Sequence, residues 1–226
     1  MKKKYITKEK HYDILFEREK KNGLNKLGIM TSFGWDNDPK RLTFVLSRYK
    51  FVSKMLTGKK DVLEIGSCDG WASRIVKQTV GKLTCSDFDP EFIKFAKKNS
   101  SKKYQIKFML HDMVKKCTAN KYDAIYAIDV FEHIKKSNER KFINNIKNSL
   151  KANGVLILGI PSLESQKYAK DSAKKGHVNC KSGNEFRKIM SKYFDNVFLF
   201  SMNDEVIHTG FESMSHYLFV ICTDKN

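Results

Sequence analysis

The residues with the clearest chemical capability stand together near the middle of the chain. Asp129, Glu132 and His133 occupy positions i, i+3 and i+4, directly after a short apolar stretch. If a helical turn begins there, all three side chains project from one face. Histidine is the usual general base, because its unperturbed pKa of about 6.5 lies close to neutral pH. This spacing indicates a site for proton transfer, although a Glu-His pair that caps or packs a helix start has the same pattern.

A second histidine, His177, lies in the loop after the next apolar stretch and before a predicted helix. The two apolar stretches are predicted to be neighbouring parallel strands. Adjacent strands of this kind deliver their following loops to the same edge of a sheet. We therefore expect His133 and His177 to face the same site, and we predict a catalytic role for His133, His177 and Asp129.

Short apolar runs alternate with segments of helical spacing over most of the chain. The predicted strands are residues 61–66, 82–87, 106–110, 122–128, 155–160, 197–201 and 215–222. The predicted helices are residues 40–56, 71–80, 90–99, 137–150 and 184–193. This alternation is typical of βαβ units. We expect an α/β fold with a seven-stranded, mostly parallel sheet, helices on both faces and an antiparallel hairpin at one edge.

The first predicted strand runs into a glycine-containing loop, Glu64-Ile-Gly-Ser-Cys-Asp-Gly70. Gly66 allows the chain to turn tightly off the strand, and Gly70 allows the next helix to approach closely. Asp87 ends the second strand 21 residues after Gly66. An acid at about this distance, roughly 20 residues, binds ribose hydroxyls in dinucleotide folds. The loop is therefore predicted to bind a nucleoside-containing cofactor.

The loop is not a good dinucleotide fingerprint, because that motif would require glycine at Cys68 and at Trp71. Its leading acid suits a cofactor with a cationic amino-acid tail instead. The loop and the segments after it resemble, in order and spacing, the class I S-adenosylmethionine-dependent methyltransferases. The segments that carry this resemblance, within residues 61–161, are DVLEIGSCDGWASRIV, LTCSDFDPEFI, HDM, YDAIYAIDVFEHI and GVLILGIPS. The family usually has glycine where Cys68 stands, a departure that a small side chain tolerates.

The resemblance implies a Rossmann-like fold and a set of residues that bind S-adenosylmethionine. For the methionine part it implies Glu64, Gly66, Ser67, Cys68 and Gly70. For the adenosine part it implies Asp87, Phe88, Asp112 and Met113. Ile128 and Asp129 are expected near the methyl-bearing sulfur, and Trp35 is a further predicted cofactor contact from the N-terminal segment.

The acid-x-x-Glu-His pattern with a distant histidine also resembles metal-dependent O-methyltransferases. That group includes the small-RNA 2′-O-methyltransferases and enzymes of the ubiquinone pathway. The resemblance makes Glu132, His133 and His177 candidate ligands for Mg²⁺ or Mn²⁺, with Asp129 where the first glutamate usually stands. Base catalysis by a histidine without a metal is the alternative.

Two further segments, 33–38 and 203–211, combine aromatic residues with acids and glycine. They are similar to segments of methyltransferases encoded with surface-polysaccharide and nucleotide-sugar genes, and would line the acceptor pocket. A docked arm and an ordinary hairpin loop are the alternatives. We predict methylation of an oxygen on a small polar acceptor: a sugar, a nucleotide-sugar or a phosphoryl-linked precursor. Residues 1–57 are predicted to form an arm and helix that cap the site, and residues 58–226 the methyltransferase domain.

The net charge of +18 raises nucleic acid as an alternative partner. Only six of the 43 basic residues are arginine, however, and the lysines are spread along the whole chain. Recognition of phosphates and bases favours clustered arginine. Solvated lysine-rich faces are therefore the preferred interpretation, and the sequence argues against a nucleic-acid partner. An RNA methyltransferase and a non-catalytic cofactor-binding protein are kept as alternative functions.

The cysteines and the hydropathy indicate the cellular environment of the protein. Five cysteines, an odd number without a Cys-x-x-Cys pair, argue against a disulfide framework and against a structural zinc site. The longest apolar stretch is too short to insert into a membrane. The sequence thus predicts a cytoplasmic protein with reduced thiols, and no motif in it specifies an oligomeric state.

Overall fold

A computed structural model of the chain describes residues 7–226. Its strands are β1 (Asp61–Ile65), β2 (Lys82–Asp87), β3 (Ile106–Leu110), β4 (Tyr122–Ile128), β5 (Leu150–Pro161), β6 (Phe194–Asn203), β7 (Val206–His208) and β8 (Tyr217–Lys225). Its α-helices are α1 (Asp13–Asn22), α2 (Ile29–Asn37), α3 (Pro39–Met55), α4 (Ser73–Lys77), α5 (Pro90–Lys98), α6 (Lys136–Ser149), α7 (Asp171–Gly176) and α8 (Gly183–Met190).

All the strands belong to one sheet of eight strands in the order β3-β2-β1-β4-β5-β8-β6-β7. The first five in this order pair in parallel, whereas β8 is antiparallel to both of its neighbours, β5 and β6. The chain leaves β1 in one direction to β2 and later returns on the other side to β4. The predicted fold class is confirmed: a Rossmann-like, mostly parallel sheet with antiparallel strands at one edge.

The sheet has one strand more than the seven that were predicted. The additional strand, β7, is only three residues long and pairs with the end of β6. It lies inside the segment 203–211, whose polar and glycine residues do not have the pattern of a strand. A three-residue strand is too short to show hydrophobic alternation, and it forms here because the turn after β6 folds the chain back upon that strand.

Strand β4 shows why the sheet is covered on both faces. Ile125 and Ala127 point into one apolar cluster, which they share with α6 and α8. Tyr126 and Ile128 point into a second cluster, which they share with α3 and α4. Successive side chains of a strand face opposite sides, so a strand buried on both faces must be apolar throughout, as this segment is.

The carboxylate of Glu64 ties the N-terminal helix α3 to the centre of the sheet. It is buried and accepts hydrogen bonds from Tyr49 (2.8 Å), Tyr126 (2.9 Å) and Cys85 (3.0 Å). Burial raises the pKa of Glu64, and these donors oppose that shift by stabilising the ionised form. The hydrogen bond between Tyr49 and Glu64 shows that α3 packs directly on the sheet. The predicted boundary between an N-terminal segment, residues 1–57, and the domain of residues 58–226 stays a prediction.

The helices predicted at residues 40–56, 90–99 and 137–150 agree with the structure to within one residue at either end, whereas α8 ends three residues earlier than predicted and α4 is shorter at both ends. Residues 71–80 were predicted as one helix, but only Ser73–Lys77 is α-helical. On either side the main chain forms tighter bonds, from Ile75 N to Ala72 O and from Thr79 N to Val76 O. These i→i−3 bonds wind the ends as 3₁₀ turns, which frequently border short helices.

Among residues 7–226, no helix combines the length and apolar character needed to cross a bilayer.

We predict that Tyr49→Phe destabilises the protein by about 1–3 kcal/mol, because it removes one donor from a buried carboxylate. Urea unfolding followed by circular dichroism measures the difference. Tyr104→Phe is the matched control, because the Tyr104 side chain is partly exposed and lies outside both apolar clusters. Equal stabilities for Tyr49→Phe and the wild-type protein would contradict the proposed role of this bond.

Candidate functional site

The glycine loop after β1 occupies the carboxyl edge of the sheet, and two of its positions accept no side chain. Gly66 and Gly70 adopt φ values of +73° and +67°, in the region that favours glycine. A Cβ atom at Gly66 would overlap the Val130 side chain, and one at Gly70 would lie 2.5 Å from the ring of Phe108. Both glycines are required by backbone conformation and by close contact.

Cys68 stands between them in the same left-handed region, with φ +47°. This explains why glycine is the expected residue at this position. The cysteine is held there by a hydrogen bond of 2.9 Å from its main-chain N–H to Asp87 Oδ2. Burial raises the pKa of the Cys68 thiol to about 12, and the charge of Asp87 adds to the shift. The thiol is therefore protonated at neutral pH and is not a nucleophile in this loop.

The predicted contacts for the adenosine part lie at the ends of β2 and β3. Asp87 is buried, and its second oxygen accepts a hydrogen bond from Asp89 N at 3.0 Å. Phe88 is 74% exposed next to it, so its ring is free to cover a ligand. Asp112 accepts from Val114 N at 2.9 Å and lies 3.6 Å from Lys115 Nζ.

Two of the predicted cofactor residues have their side chains in the apolar cores instead. Met113 packs in the cluster that contains α6, and Ile128 in the cluster that contains α3. Any contact of these two residues with a ligand would therefore use the main chain. Trp35 lies on α2 with its ring largely exposed.

Ser67 carries an unused hydrogen-bonding group in the middle of the loop. It is buried, and its Oγ has no hydrogen-bond partner within the described residues. Buried polar groups are almost always paired, so an unpaired one calls for a partner such as a water molecule, an ion or a ligand. The Ser67 hydroxyl therefore fits a polar group bound against the loop.

Asp69 was not among the predicted site residues, yet it joins the loop to the N-terminal segment. Its Oδ2 accepts from Met30 N (3.0 Å) and Thr31 N (3.3 Å), the first turn of α2. Gly28 precedes these residues, and a Cβ there would overlap the Asp69 carboxyl group. Asp69 thus supplies, from 39 residues away, the side-chain acceptor that the N-cap residue Gly28 lacks, and it brings α2 over the glycine loop.

The end of β4 lies beside the glycine loop and carries Asp129. This residue also has a left-handed conformation, with φ +57°. Its carboxylate is paired with Arg48 of α3, whose Nη1 lies 3.0 Å and 2.7 Å from the two oxygens. The two residues of this ion pair are 81 positions apart in the chain, so no local sequence pattern reveals it.

A short 3₁₀ helix, Phe131–His133, follows and carries the other acid and the first histidine. Ligand atoms of Glu132, His133 and His177 lie within 4.8 Å of one another. The two imidazole rings are 5.3 Å apart between centroids. The structure thus brings together both predicted histidines and Glu132, whereas Asp129 is engaged by Arg48 and stands outside this cluster.

Both imidazoles are oriented by a hydrogen bond at Nδ1. His133 Nδ1 lies 2.8 Å from the carbonyl oxygen of Gly176, and His177 Nδ1 lies 2.8 Å from Gln166 Oε1. A carbonyl oxygen only accepts, so Nδ1 carries the proton in each ring. In the neutral form, Nε2 of each histidine is then an unprotonated lone-pair donor. Two such atoms at one place suit either a general base or a metal ion.

The charges in this cluster are strongly perturbed by burial. Glu132 is fully buried, and neither of its carboxylate oxygens has a hydrogen-bond partner within residues 7–226. Burial, and next the charge of Asp129, raise the pKa of Glu132 well above its usual value. Burial and the neighbouring His133 lower the pKa of His177. A cation bound among these groups would supply the partner that Glu132 lacks.

The two segments predicted to line an acceptor pocket both adjoin the first turns of α3. At Gly34, in segment 33–38, a Cβ would lie 3.3 Å from Leu42. From segment 203–211, Glu205 Oε1 accepts from Thr43 Oγ1 at 2.7 Å. The segments thus flank one helix, although they are far apart in sequence; their role in acceptor binding stays a prediction.

Residues 63–158 match the family model described as "Methyltransferase domain". The match extends from β1 to β5 and includes the glycine loop, Asp87, Asp112 and the turn with Glu132 and His133. No curated protein sequence matches the chain. The helices α1 to α3, the loop with His177, and the strands β6 to β8 lie outside the matched part.

Several solved structures share the fold. The N-methyltransferase NodS from Bradyrhizobium japonicum WM9, in complex with S-adenosyl-L-homocysteine, is 19% identical, with a TM-score of 0.59 over 84% of this chain and 90% of that one. The methyltransferase domain of bacterial CtHen1-C is 17% identical (TM-score 0.65, 80% and 97%). The plantazolicin methyltransferase BpumL is 14% identical (TM-score 0.65, 85% and 88%). Residues 63–158 thus match a methyltransferase domain, and the chain has the fold of S-adenosylmethionine-dependent methyltransferases.

Proposed function

We propose that this methyltransferase methylates a hydroxyl oxygen of a small polar acceptor: a sugar, a nucleotide-sugar or a phosphoryl-linked precursor. The observation that carries the proposal is the pair of imidazoles, each of which donates its Nδ1 proton to a carbonyl-type oxygen. His133 Nε2 lies 3.9 Å from Glu132 Oε1, beyond hydrogen-bond distance, and so keeps its lone pair for a substrate proton or a cation. A hydroxyl must lose its proton as it is methylated, and a fixed imidazole nitrogen is suited to accept that proton.

The loop after β1 fits the cofactor. S-adenosylmethionine supplies an electrophilic methyl group with a good sulfur leaving group. The unpaired Ser67 hydroxyl and the main chain around Gly66 and Gly70 are proposed to bind its methionine part. Asp87 offers carboxylate lone pairs to a ribose diol, and the exposed ring of Phe88 is placed to cover an adenine.

The acceptor is proposed to bind between the turn after β4 and the loop that carries His177. There, His133 or His177 accepts the hydroxyl proton at Nε2, and the rigid turn holds the acceptor in line with the methyl group. Arg41, on the first turn of α3, is close enough to His177 for its charge to lower the pKa of that histidine. It forms no ion pair within the described part of the chain, so its guanidinium is available to a phosphoryl group.

The cluster of Glu132, His133 and His177 also fits a divalent metal ion, Mg²⁺ or Mn²⁺. The fit rests on the unpaired carboxylate of Glu132 and on the two free Nε2 atoms. A bound ion would act as a Lewis acid that lowers the pKa of an acceptor hydroxyl. The hydrogen bonds at Nδ1 are those with which metal-binding histidines are usually oriented.

The five cysteines are free thiols, which supports our proposal that the enzyme works in the cytoplasm.

We predict that Gly66→Val abolishes binding of S-adenosyl-L-homocysteine, because a branched side chain would displace Val130 and close the loop to the ligand. Asp87→Ala should weaken binding by about 1–3 kcal/mol, the range for a lost charge-assisted hydrogen bond. Isothermal titration calorimetry measures both effects, with Asp89→Ala as a control that removes the neighbouring carboxylate. Failure of the wild-type protein to bind the ligand would overturn the assignment of the loop.

The histidines are tested by substitution together with a chelator. His133→Ala or His177→Ala should reduce turnover by roughly 10²–10⁴-fold and leave cofactor affinity nearly unchanged. If the cluster holds a metal, EDTA should reduce the wild-type rate similarly, and added Mg²⁺ or Mn²⁺ should restore it. Turnover that is insensitive to the chelator would remove the metal and leave the general base. Near-normal turnover in both histidine variants would contradict both roles.

The acceptor class is tested with a panel of sugars, nucleotide-sugars and sugar phosphates, each incubated with methyl-labelled S-adenosylmethionine. We expect the label on a hydroxyl oxygen, located by NMR of the product. Arg41→Gln should raise KM for phosphorylated acceptors by about tenfold, which corresponds to about 1.4 kcal/mol, and should leave KM for uncharged sugars unchanged. Label on nitrogen, or on RNA in preference to every small acceptor, would contradict the proposal.

A further inference from the structure

Arg48 reaches the methyl-transfer site from outside the matched methyltransferase domain. It lies on α3, and its side chain is only 8% exposed. A single nitrogen, Nη1, lies within hydrogen-bond distance of both Asp129 oxygens, at 3.0 Å and 2.7 Å. The pair therefore connects the N-terminal helix to the carboxyl end of the central strand β4.

A second contact fixes the guanidinium plane. Its central carbon lies 3.7 Å from the ring centroid of Tyr217, the first residue of β8. A guanidinium over an aromatic face gains both cation–π attraction and packing. Arg48 Nε is buried without a hydrogen-bond partner among the described residues. The stacked guanidinium directs its charge toward Asp129, since both side-chain hydrogen bonds of Nη1 go to that carboxylate.

The partner of Arg48 is itself in a strained position. Asp129 has φ +57°, a conformation that residues other than glycine adopt only when their surroundings hold them there. Its main-chain N–H donates to Gly159 O at 3.1 Å. That bond and the ion pair with Arg48 secure Asp129 from two sides.

The conformation of Asp129 determines the position of the residues after it. Val130 follows directly, and its side chain fills the space where a Cβ of Gly66 would stand in the cofactor loop. The next turn carries Glu132 and His133, and it is closed by bonds from His133 N to Val130 O and from Ile134 N to Phe131 O. One strained residue thus sets both the packing of the cofactor loop and the direction of the histidine.

We propose that Arg48 is a positioning residue for methyl transfer: it holds Asp129 in the left-handed conformation that places Val130 against the glycine loop and His133 toward the acceptor. The inference rests on the proposed function in one respect, because it takes the turn after β4 as the acceptor side. Arg48 touches neither cofactor nor acceptor in this role; it acts through Asp129.

The test uses two variants and their combination. Arg48→Met keeps the apolar stem and removes the charge, and we expect kcat to fall by roughly 10²-fold, the size of effect produced by a small misplacement of reacting groups. The affinity for S-adenosyl-L-homocysteine should change by less than about threefold, because hydrogen bonds from Gly66 N and Ser67 N to Ser86 O hold the glycine loop independently of Val130. The loss therefore appears mainly in kcat and not in cofactor binding. Asp129→Asn in the Arg48→Met background should recover about tenfold of the loss, because asparagine enters the left-handed region more readily and carries no unpaired charge.

Amide hydrogen exchange gives a readout that needs no acceptor. Peptides covering residues 129–134 should exchange faster in Arg48→Met than in the wild-type protein and should return toward the wild-type rate in the double variant. Arg48→Lys keeps a charge at this position and serves as the milder variant if Arg48→Met fails to fold; it should show the same changes at smaller amplitude. If the acceptor proposal is wrong, the exchange result still holds. Wild-type exchange of this segment in both Arg48 variants, or no recovery in the double variant, would overturn the inference.

Discussion

The site depends on the junction where the neighbouring parallel strands β1 and β4 end. Each strand is followed by a left-handed residue, Gly66 and Asp129, and the residue after Asp129 packs directly upon Gly66. For glycine this conformation costs little, whereas for an L-residue it costs about 1–2 kcal/mol. The cost at β4 must be offset by other contacts, and the ion pair with Arg48 is one of them. The cofactor loop and the histidine turn consequently depend on each other.

Two buried glutamates, Glu64 and Glu132, use the same carboxylate group in different ways. Glu64 has donors for both oxygens, from Tyr49, Tyr126 and Cys85, so its burial connects α3 to the sheet. Glu132 is equally buried but has no such donor within the described residues. An unpaired buried carboxylate is destabilising. A fold that retains Glu132 beside two histidines bears that cost at the place where a ligand is proposed to bind.

The sequence pattern is sufficient to predict the sheet and to place His133 and His177 at its carboxyl edge. Apolar runs and loop glycines are local signals, and they located seven of the eight strands and placed His133 and His177 at a common edge. The contacts it missed are pairs between distant segments. Asp69 with the start of α2, and Arg48 with Asp129, are separated by 39 and 81 residues, and a single charged residue does not name its partner. Likewise, no local pattern reveals that Met113 points into the core.

The positions of the candidate site residues along the chain indicate which segments could determine acceptor specificity. Residues 63–158, the matched domain, contain the cofactor loop, Asp87, Asp112 and the turn with His133. The other groups around the proposed acceptor lie outside it: Arg41 and Arg48 precede the domain, and His177 and Tyr217 follow it. Within a fold that serves methyltransferases of different acceptors, a common domain is expected to supply the cofactor chemistry. We therefore propose that the flanking segments determine which acceptor atom reaches the methyl group, since they supply the Arg41 guanidinium, the second imidazole and the ion pair between Arg48 and Asp129.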